Sequence, residues 1–461
     1  MDKSSSMADD IVLALRERKC GGGFPTERDV KSSGQQKGRR LKMSQAREAI
    51  NAQAQPGQQL DVLVAGAGYV GLATAVSIAD ARPGIRIAVV DAAPPGVWEN
   101  DVRASAIAAA ASRMLRQIGC WAEIALHAQP INEMIVTDSR TTDPVRPIFL
   151  TFDGEVAPGE PFAHMVDNKV LNGALRRRAA ELGIDIIQGV AVESFDTELG
   201  AVTVRLVDGV TLRTRLLVAA DGVRSKLRDM AGIKTVHWDY GQSGIVCTVA
   251  HERPHNGRAE EHFLPAGPFA ILPLTGNRSS IVWTERAGDA ERLVGEDDFV
   301  FEMELEQRFG LKLGEIRVEG PRKAWPLGLT LARAFVAPRI ALAGDAAHGI
   351  HPIAGQGLNL GFRDVAALAQ VVVEADRLGM DIGALDVLRR YERWRRFDTV
   401  QMGITTDLLN RMFSNDFGPL RSIRDLGLGL VDRMPRIKEF FIRQASGLSR
   451  DTPRLLNGEA I

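Results

Sequence analysis

The chain has 461 residues, 45% hydrophobic and 25% charged, with 45 glycines and 21 prolines, a globular composition long enough for two or three domains. Fifty-seven Lys plus Arg against 58 Asp plus Glu give a net charge of −1, which argues against a chain-wide polyanion binder and so against a nucleic-acid partner. The three cysteines, Cys20, Cys120 and Cys247, cannot build a disulfide framework or a Cys-rich zinc site, and they point to a reducing compartment.

Residues 1–58 hold 11 basic and 7 acidic residues with few apolar anchors, including Lys37-Gly38-Arg39-Arg40-Leu41-Lys42. They are expected to be a disordered extension. Their acids argue against a transit peptide, and no apolar core marks a secretory signal. Met43 serves equally well as a start for the remainder.

The stretch 62–79 is 18 residues without a charge, but glycines interrupt it and Asp61 and Asp80 flank it. A strand, a glycine turn and a helix fit it better than a membrane span. The expected location is cytoplasmic, at most peripheral to an inner membrane.

From Leu60 the pattern is β-α-β: a strand over Leu60–Ala65, a helix over Tyr69–Ala81, and a strand over 85–90 reaching Asp91. A helix is expected over 104–118 and another over 168–182. A buried strand over 216–220 runs into Asp221-Gly222. Residues 130–160 and 236–325 alternate apolar and polar side chains, as an antiparallel sheet does. Strand-turn-helix returns after Ile340, 365–397 reads as helix, and 408–448 as helix broken at Pro419 and Pro435.

The fold class is therefore α/β: a Rossmann-like nucleotide-binding domain (59–129, 160–235 and 326–400) interrupted by a β-sheet domain (130–159 and 236–325). A helical C-terminal region follows over 401–461.

Three segments carry chemistry. In Gly66-Ala67-Gly68-Tyr69-Val70-Gly71, Gly66 permits a tight turn and Gly68 lets backbone approach a pyrophosphate. Gly71 lets the helix pack close to its strand. Asp91 ends the next strand, where a carboxylate accepts from a ribose diol. The second segment is a strand ending in Asp221-Gly222. The third runs Gly344-Asp345-Ala346-Ala347-His348-Gly349-Ile350-His351-Pro352-Ile353-Ala354-Gly355-Gln356-Gly357-Leu358-Asn359. There a strand delivers Asp345 to hold a polyol hydroxyl, and a Pro/Gly loop feeds a helix beginning near Leu358. His348 and His351 are too few for a metal site, and none is assigned.

In this order, the three segments resemble those of the FAD-dependent aromatic monooxygenases related to p-hydroxybenzoate hydroxylase. The His348 to Gly361 segment, with Arg363-Asp364, is most similar to the ubiquinone-biosynthesis hydroxylases. Phe263-Leu264-Pro265, Asn277-Arg278-Ser279 and Phe413-Ser414-Asn415-Asp416 add to the likeness, which runs from about 60 to about 445. Asp91 stands where many relatives carry Glu.

The resemblance implies FAD. Gly66, Gly68, Gly71 and Asp91 would hold its ADP half, Arg103 would contact it, and Asp221-Gly222 would serve both FAD and NAD(P)H. Gly344-Asp345 would bind its ribityl or ribose region. It also implies a catalytic set of Pro352, Gly357, Leu358 and Asn359 beside the isoalloxazine, with no side chain as nucleophile. A polyprenylated phenol or quinone precursor would be hydroxylated with molecular oxygen through a flavin C4a-hydroperoxide.

The electron donor is NAD(P)H or a protein. A soluble aromatic acid as substrate, and a non-catalytic flavin scaffold of a quinone-synthesis complex, stand as alternatives. Trp283, Trp325 and Phe269 are candidates to line the ring pocket, although aromatics on strands more often belong to a core. Leu426, Met434, Ile437, Phe440 and Phe441, interleaved with Arg433, Arg436 and Lys438, suit a membrane surface or, equally, packing against the protein's own domain or a partner such as another ubiquinone-synthesis protein.

Overall fold

A computed structural model describes residues 59–138, 148–153, 155–350, 356–413 and 452–461. The extension 1–58, the loop 351–355 with His351 and Pro352, and the basic, apolar tail 414–451 lie outside the described residues.

Leu60–Ala65 is apolar without alternation, and Val62, Leu63 and Val64 are fully buried, as an interior parallel strand covered on both faces requires. It pairs in parallel with Ile87–Asp91 on one side and Thr211–Ala219 on the other. Asp185–Gln188 extends the sheet beyond Ile87–Asp91. The strand Thr211–Ala219 divides its far edge. Its first half pairs antiparallel with Ala201–Leu206, and its last residues pair in parallel with Ile340–Leu342.

The second sheet is antiparallel apart from one parallel pair, Arg258–Leu264 with Glu133–Asp138. Its spine is formed by Thr235–His251 and Ile316–Ala332, paired along nearly their whole length. Alternation gives the sheet two faces. One packs Ile245, Cys247, Phe269, Ile281 and Trp283 against Phe301, Leu305 and Phe309. Trp283 and Phe269 are thus fully buried in a hydrophobic core, the commoner of the two places open to strand aromatics, and not in the ring pocket. Trp325 differs, lying half-buried beneath the Arg103 guanidinium.

Three further expectations are corrected. Ala104–Ala108 is a strand, and the helix occupies only Ala109–Gln117. Pairing with Ala163–Asp167 overrides the helical propensity of this alanine-rich run. Helices Ala287–Gly295 and Asp298–Phe309 interrupt the expected all-strand segment. The second is capped by Asp297, whose side chain accepts from Val300 N at 2.9 Å. The expected helix over 365–397 is two helices, Gln356–Arg377 and Leu385–Phe413. A C-terminal cap at Gly379 separates them, with Met380 N donating to Ala375 O.

The sheets meet where the chain returns from one to the other. Ile340–Leu342 belongs to the parallel sheet, while His348–Gly349 pairs with Thr330 and Leu331 of the antiparallel one. The third motif, at Gly344-Asp345, therefore turns at the seam between the sheets. No helix among the described residues is long and apolar enough to cross a membrane.

Candidate cofactor site

The Tyr69–Ala81 helix begins without a side-chain cap and without an acidic residue in its first turn. Its orphan N–H groups therefore suit an anion. Gly66 has φ +110°, and a Cβ there would sit 2.2 Å from Ala220 O. A Cβ on Gly71 would sit 1.9 Å from Gly66 O. Both positions thus admit only glycine, whereas Gly68 is exposed with open space around it. Asp91 is half-buried and turned toward this loop. Its Oδ2 accepts from Ala67 N at 2.9 Å and its Oδ1 from Ala93 N at 2.8 Å, which leaves lone pairs for a further donor.

The second motif abuts the first through the Ala220–Gly66 contact. The Asp221 carboxylate is held by its own chain, accepting from Ser225 Oγ at 2.5 Å and Leu227 N at 3.4 Å. Gly222 follows with open space around its Cα. Arg228 joins this motif to the third, with Nη1 donating to Val223 O and Ala346 O, both at 3.1 Å.

In the third motif Gly344 adopts φ +62°, and a Cβ there would crowd Val70 of the first helix. The Asp345 carboxylate is open to solvent, and no donor among the described residues reaches it. Protein still crowds it enough for desolvation to raise its pKa, with His348 and Arg103 opposing and Asp364 reinforcing. A carboxylate that is exposed and accepts from no described donor is open to a ligand's hydroxyl.

Arg103 lies close enough to act on Asp345 electrostatically and is bridged to Asp101 through Nε at 2.9 Å and Nη2 at 2.7 Å. Asn168 Nδ2 braces Asp101 at 3.3 Å, and Ser105 Oγ braces Asn168 at 2.7 Å. The Arg103 guanidinium lies 5.5 Å from the Trp325 ring centroid, within cation–π range. Burial, together with Asp345 and Asp101, pushes the Tyr69 phenol up to about 12 against the pull of Arg103. Tyr69, Asp101, Arg103 and Asp345 thus share one electrostatic neighbourhood.

The Gln356–Arg377 helix follows, with no described atom crowding Gly357 and with Leu358 buried. The Asn359 side chain locks this helix to the Ala104–Ala108 strand, accepting from Ala108 N and donating to Ala106 O, each at 2.9 Å. Pro352 lies outside the described residues.

Sequence reasoning passed over Asp101, Asn168 and Arg176. Arg176 Nη2 donates to Ala67 O at 3.1 Å within the glycine loop, and its guanidinium stacks on Trp98. Only the closeness of Asp101 to Arg103 was visible as a signal.

The uncapped helix start, the cleared space at Gly68 and the unpartnered Asp345 carboxylate fit a dinucleotide that has phosphates at one end and a polyol further along. Among the described residues no cluster of three or more His, Cys, Asp or Glu offers a metal site.

Comparison with known proteins agrees with this geometry. The family model for the FAD binding domain matches residues 59–392. Ubiquinone hydroxylase UbiL of Rhodospirillum rubrum is 45% identical, the match covering 86% of this chain and 92% of that protein. The 3-demethoxyubiquinol 3-hydroxylase of Escherichia coli is 32% identical over 85% of this chain and 99% of its own. Among solved structures, p-nitrophenol 4-monooxygenase PnpA from Pseudomonas putida superposes with a TM-score of 0.70 at 19% identity. That match covers 85% of this chain and 99% of that one, and it speaks to the fold alone. The chain is an FAD-dependent monooxygenase and belongs to the FAD binding domain family, among the monooxygenases of ubiquinone biosynthesis.

Proposed function

We propose that this enzyme hydroxylates the aromatic ring of a polyprenylated ubiquinone precursor, with FAD lying along the seam between the sheets. The reading is carried by 45% identity to a ubiquinone hydroxylase over 92% of that protein's length. On this reading 59–129, 160–235 and 326–400 form the FAD-binding domain, 130–159 and 236–325 the substrate domain, and 401–461 a C-terminal helical region.

Bound FAD supplies the redox chemistry and oxygen activation that no side chain here offers. The chain binds, orients and neutralises. N–H groups at the start of the Tyr69–Ala81 helix hold the pyrophosphate, with Gly66 and Gly71 shaping the turn and Gly68 clearing the approach. Asp91, oriented by Ala67 and Ala93, accepts from a ribose hydroxyl. Asp345 accepts from the ribityl chain. Arg103, fixed by Asp101, offsets the negative charge. Asp221 and Gly222 shape the wall between the first and third motifs.

Gly357, Leu358 and Asn359, at the start of their helix, would offer positive partial charge to the bound flavin, with Pro352 assigned to the same set by its sequence motif alone. A helix start placed there would stabilise negative charge on the cofactor.

The face of the antiparallel sheet opposite its aromatic core floors the substrate cavity. There Val246, Val282 and Ala270 are in register and partly exposed. One oxygen atom of O₂ enters a ring C–H bond as hydroxyl and the other leaves as water. NAD(P)H or a protein donor supplies the electron pair. A polyprenyl chain partitions into lipid, so the enzyme works at a membrane surface. The apolar and basic residues of 426–443 make that contact, beside other ubiquinone-synthesis proteins.

Mass spectrometry of lipid extracts from cells lacking the protein tests the reading. A polyprenylated phenol short of one oxygen should accumulate and disappear on complementation. An unchanged quinone profile in cells with no second ring hydroxylase would overturn it.

A further inference from the structure

Behind Asp345, on the side of the turn away from the cleft, lies a charge network that the reaction itself does not require. Asp364 and His348 have no exposed surface, and Arg395 retains only 1%. Asp364 Oδ2 accepts from Gly344 N at 2.9 Å and from His348 Nε2 at 2.5 Å. Its Oδ1 accepts from Arg395 Nε at 2.8 Å, and Arg395 Nη1 continues to Asp398 at 2.9 Å. One carboxylate thus ties together the Gln356–Arg377 helix, the Leu385–Phe413 helix, the His348 strand and the N–H of the residue that precedes Asp345.

A fully buried carboxylate is costly unless it is paired and its lone pairs are filled. This one takes three donors, and two of them lie on the Gly344–His348 segment. Those two donors restrain the turn from both ends. Tyr391 OH adds a tether to Leu342 O at 2.7 Å, and Arg228 adds one to Ala346 O at 3.1 Å. Gly344 holds a left-handed conformation against Val70, and its N–H has no other acceptor among the described residues. Without Asp364 the turn would lose the acceptor that fixes where Asp345 emerges.

We propose that Asp364, acting with His348 and Arg395, is a positioning residue for the cofactor: it holds the Gly344–Asp345 turn in the conformation that presents Asp345 to the FAD ribityl chain. This rests on the cofactor reading given above. First-contact groups hold a ligand only as well as their supporting shell fixes them.

The test titrates FAD into the apoprotein, following flavin fluorescence, and records the absorbance spectrum and midpoint potential of the bound flavin. Asp364→Asn should raise the FAD dissociation constant at least about tenfold, as expected for a disturbed charge-assisted bond. Because this variant risks misfolding, His348→Met and His348→Gln form a second pair. The first removes the donor to Asp364 and should weaken FAD and shift its potential. The second restores an N–H donor and should recover most of both.

Wild-type FAD affinity, spectrum and potential in His348→Met, with only the apoprotein melting temperature lowered, would overturn the inference and leave a purely structural role. Asp345→Ala separates the two readings. If it keeps FAD at wild-type affinity, the cofactor-site reading fails. If it loses FAD while His348→Met keeps it, only the positioning inference fails.

Discussion

Two aspartates on either side of one turn are used in opposite ways. Asp364, behind the turn, is wholly buried and filled by Gly344 N–H, His348 and Arg395. Asp345, in front of it, is open and accepts from no described donor. Burial pushes both carboxyls up. At Asp364 the neighbouring His348 and Arg395 overcome this and bring the pKa below the usual value. At Asp345 the opposing His348 and Arg103 do not, and its pKa is raised. The difference separates a carboxylate that stabilises the fold from one kept under tension for a ligand.

The comparison breaks most readily at Asp364. Asp364→Asn leaves Arg395 buried without its nearest counter-charge, and losing one partner of a buried pair costs about 3–5 kcal/mol. Chemical denaturation of the apoprotein should show that loss. A cost under about 1 kcal/mol would mean that Asp398 alone satisfies Arg395.

Asp345 should behave with the opposite sign. Asp345→Asn is expected to weaken FAD roughly 10- to 100-fold, the worth of a hydrogen bond to a charged group. The apoprotein should nevertheless melt at an equal or higher temperature at pH 7. A group whose folded pKa is raised contributes stability below its unfolded value and loses it as pH rises through the folded one. The ionised carboxylate therefore penalises the empty protein at pH 7, and the gap to Asp345→Asn should close as pH falls toward the ordinary Asp range. An apoprotein destabilised at pH 7 would place Asp345 with the structural carboxylates.

A smaller effect is expected at Asp101, which touches the cleft only through Arg103. Asp101→Asn keeps the side-chain shape but not the charge-assisted fork, so FAD affinity should fall roughly threefold to tenfold. Additivity with Asp345→Asn in a double-mutant cycle would show that the two sites act independently. Coupling would show that Arg103 bridges them.

What could be read from the sequence follows the same division. The Gly66 end of the cleft is contiguous: turn, helix start and Asp91 lie within one β-α-β unit, and each glycine has a local steric reason. Gly344-Asp345 was visible as a motif, but its support was not. Asp364 belonged to a recognisable segment without a stated task. Arg395 sits among Arg389, Arg390, Arg393 and Arg396, which are exposed, and composition does not tell it apart from them. Asn168 and Arg176 act on partners 67 and 109 residues away, beyond any local pattern. Trp283 could be read as core or as pocket lining, because alternation shows that a strand has two faces without saying which one meets the cofactor.

Glu260, in the antiparallel sheet, tests whether the division holds outside the turn. Its carboxylate is nearly buried and accepts from Lys312 Nζ at 3.0 Å, with His262 Nε2 at 3.3 Å. Burial raises its pKa, but His262 and Lys312 outweigh that and lower it from 4.5 to about 2. A depressed folded pKa contributes stability above the unfolded value, lost as pH falls through the folded one. Glu260→Gln should therefore cost about 1–2 kcal/mol at pH 7, discounted for the exposed lysine. That cost should shrink as pH drops from about 4.5 toward 2, with FAD affinity unchanged throughout. Urea melts of both proteins at several pH values measure the first effect and flavin titration the second. A constant cost across that range would assign the loss to packing, and a weakened flavin would show that a filled carboxylate far from the turn also shapes the cofactor site.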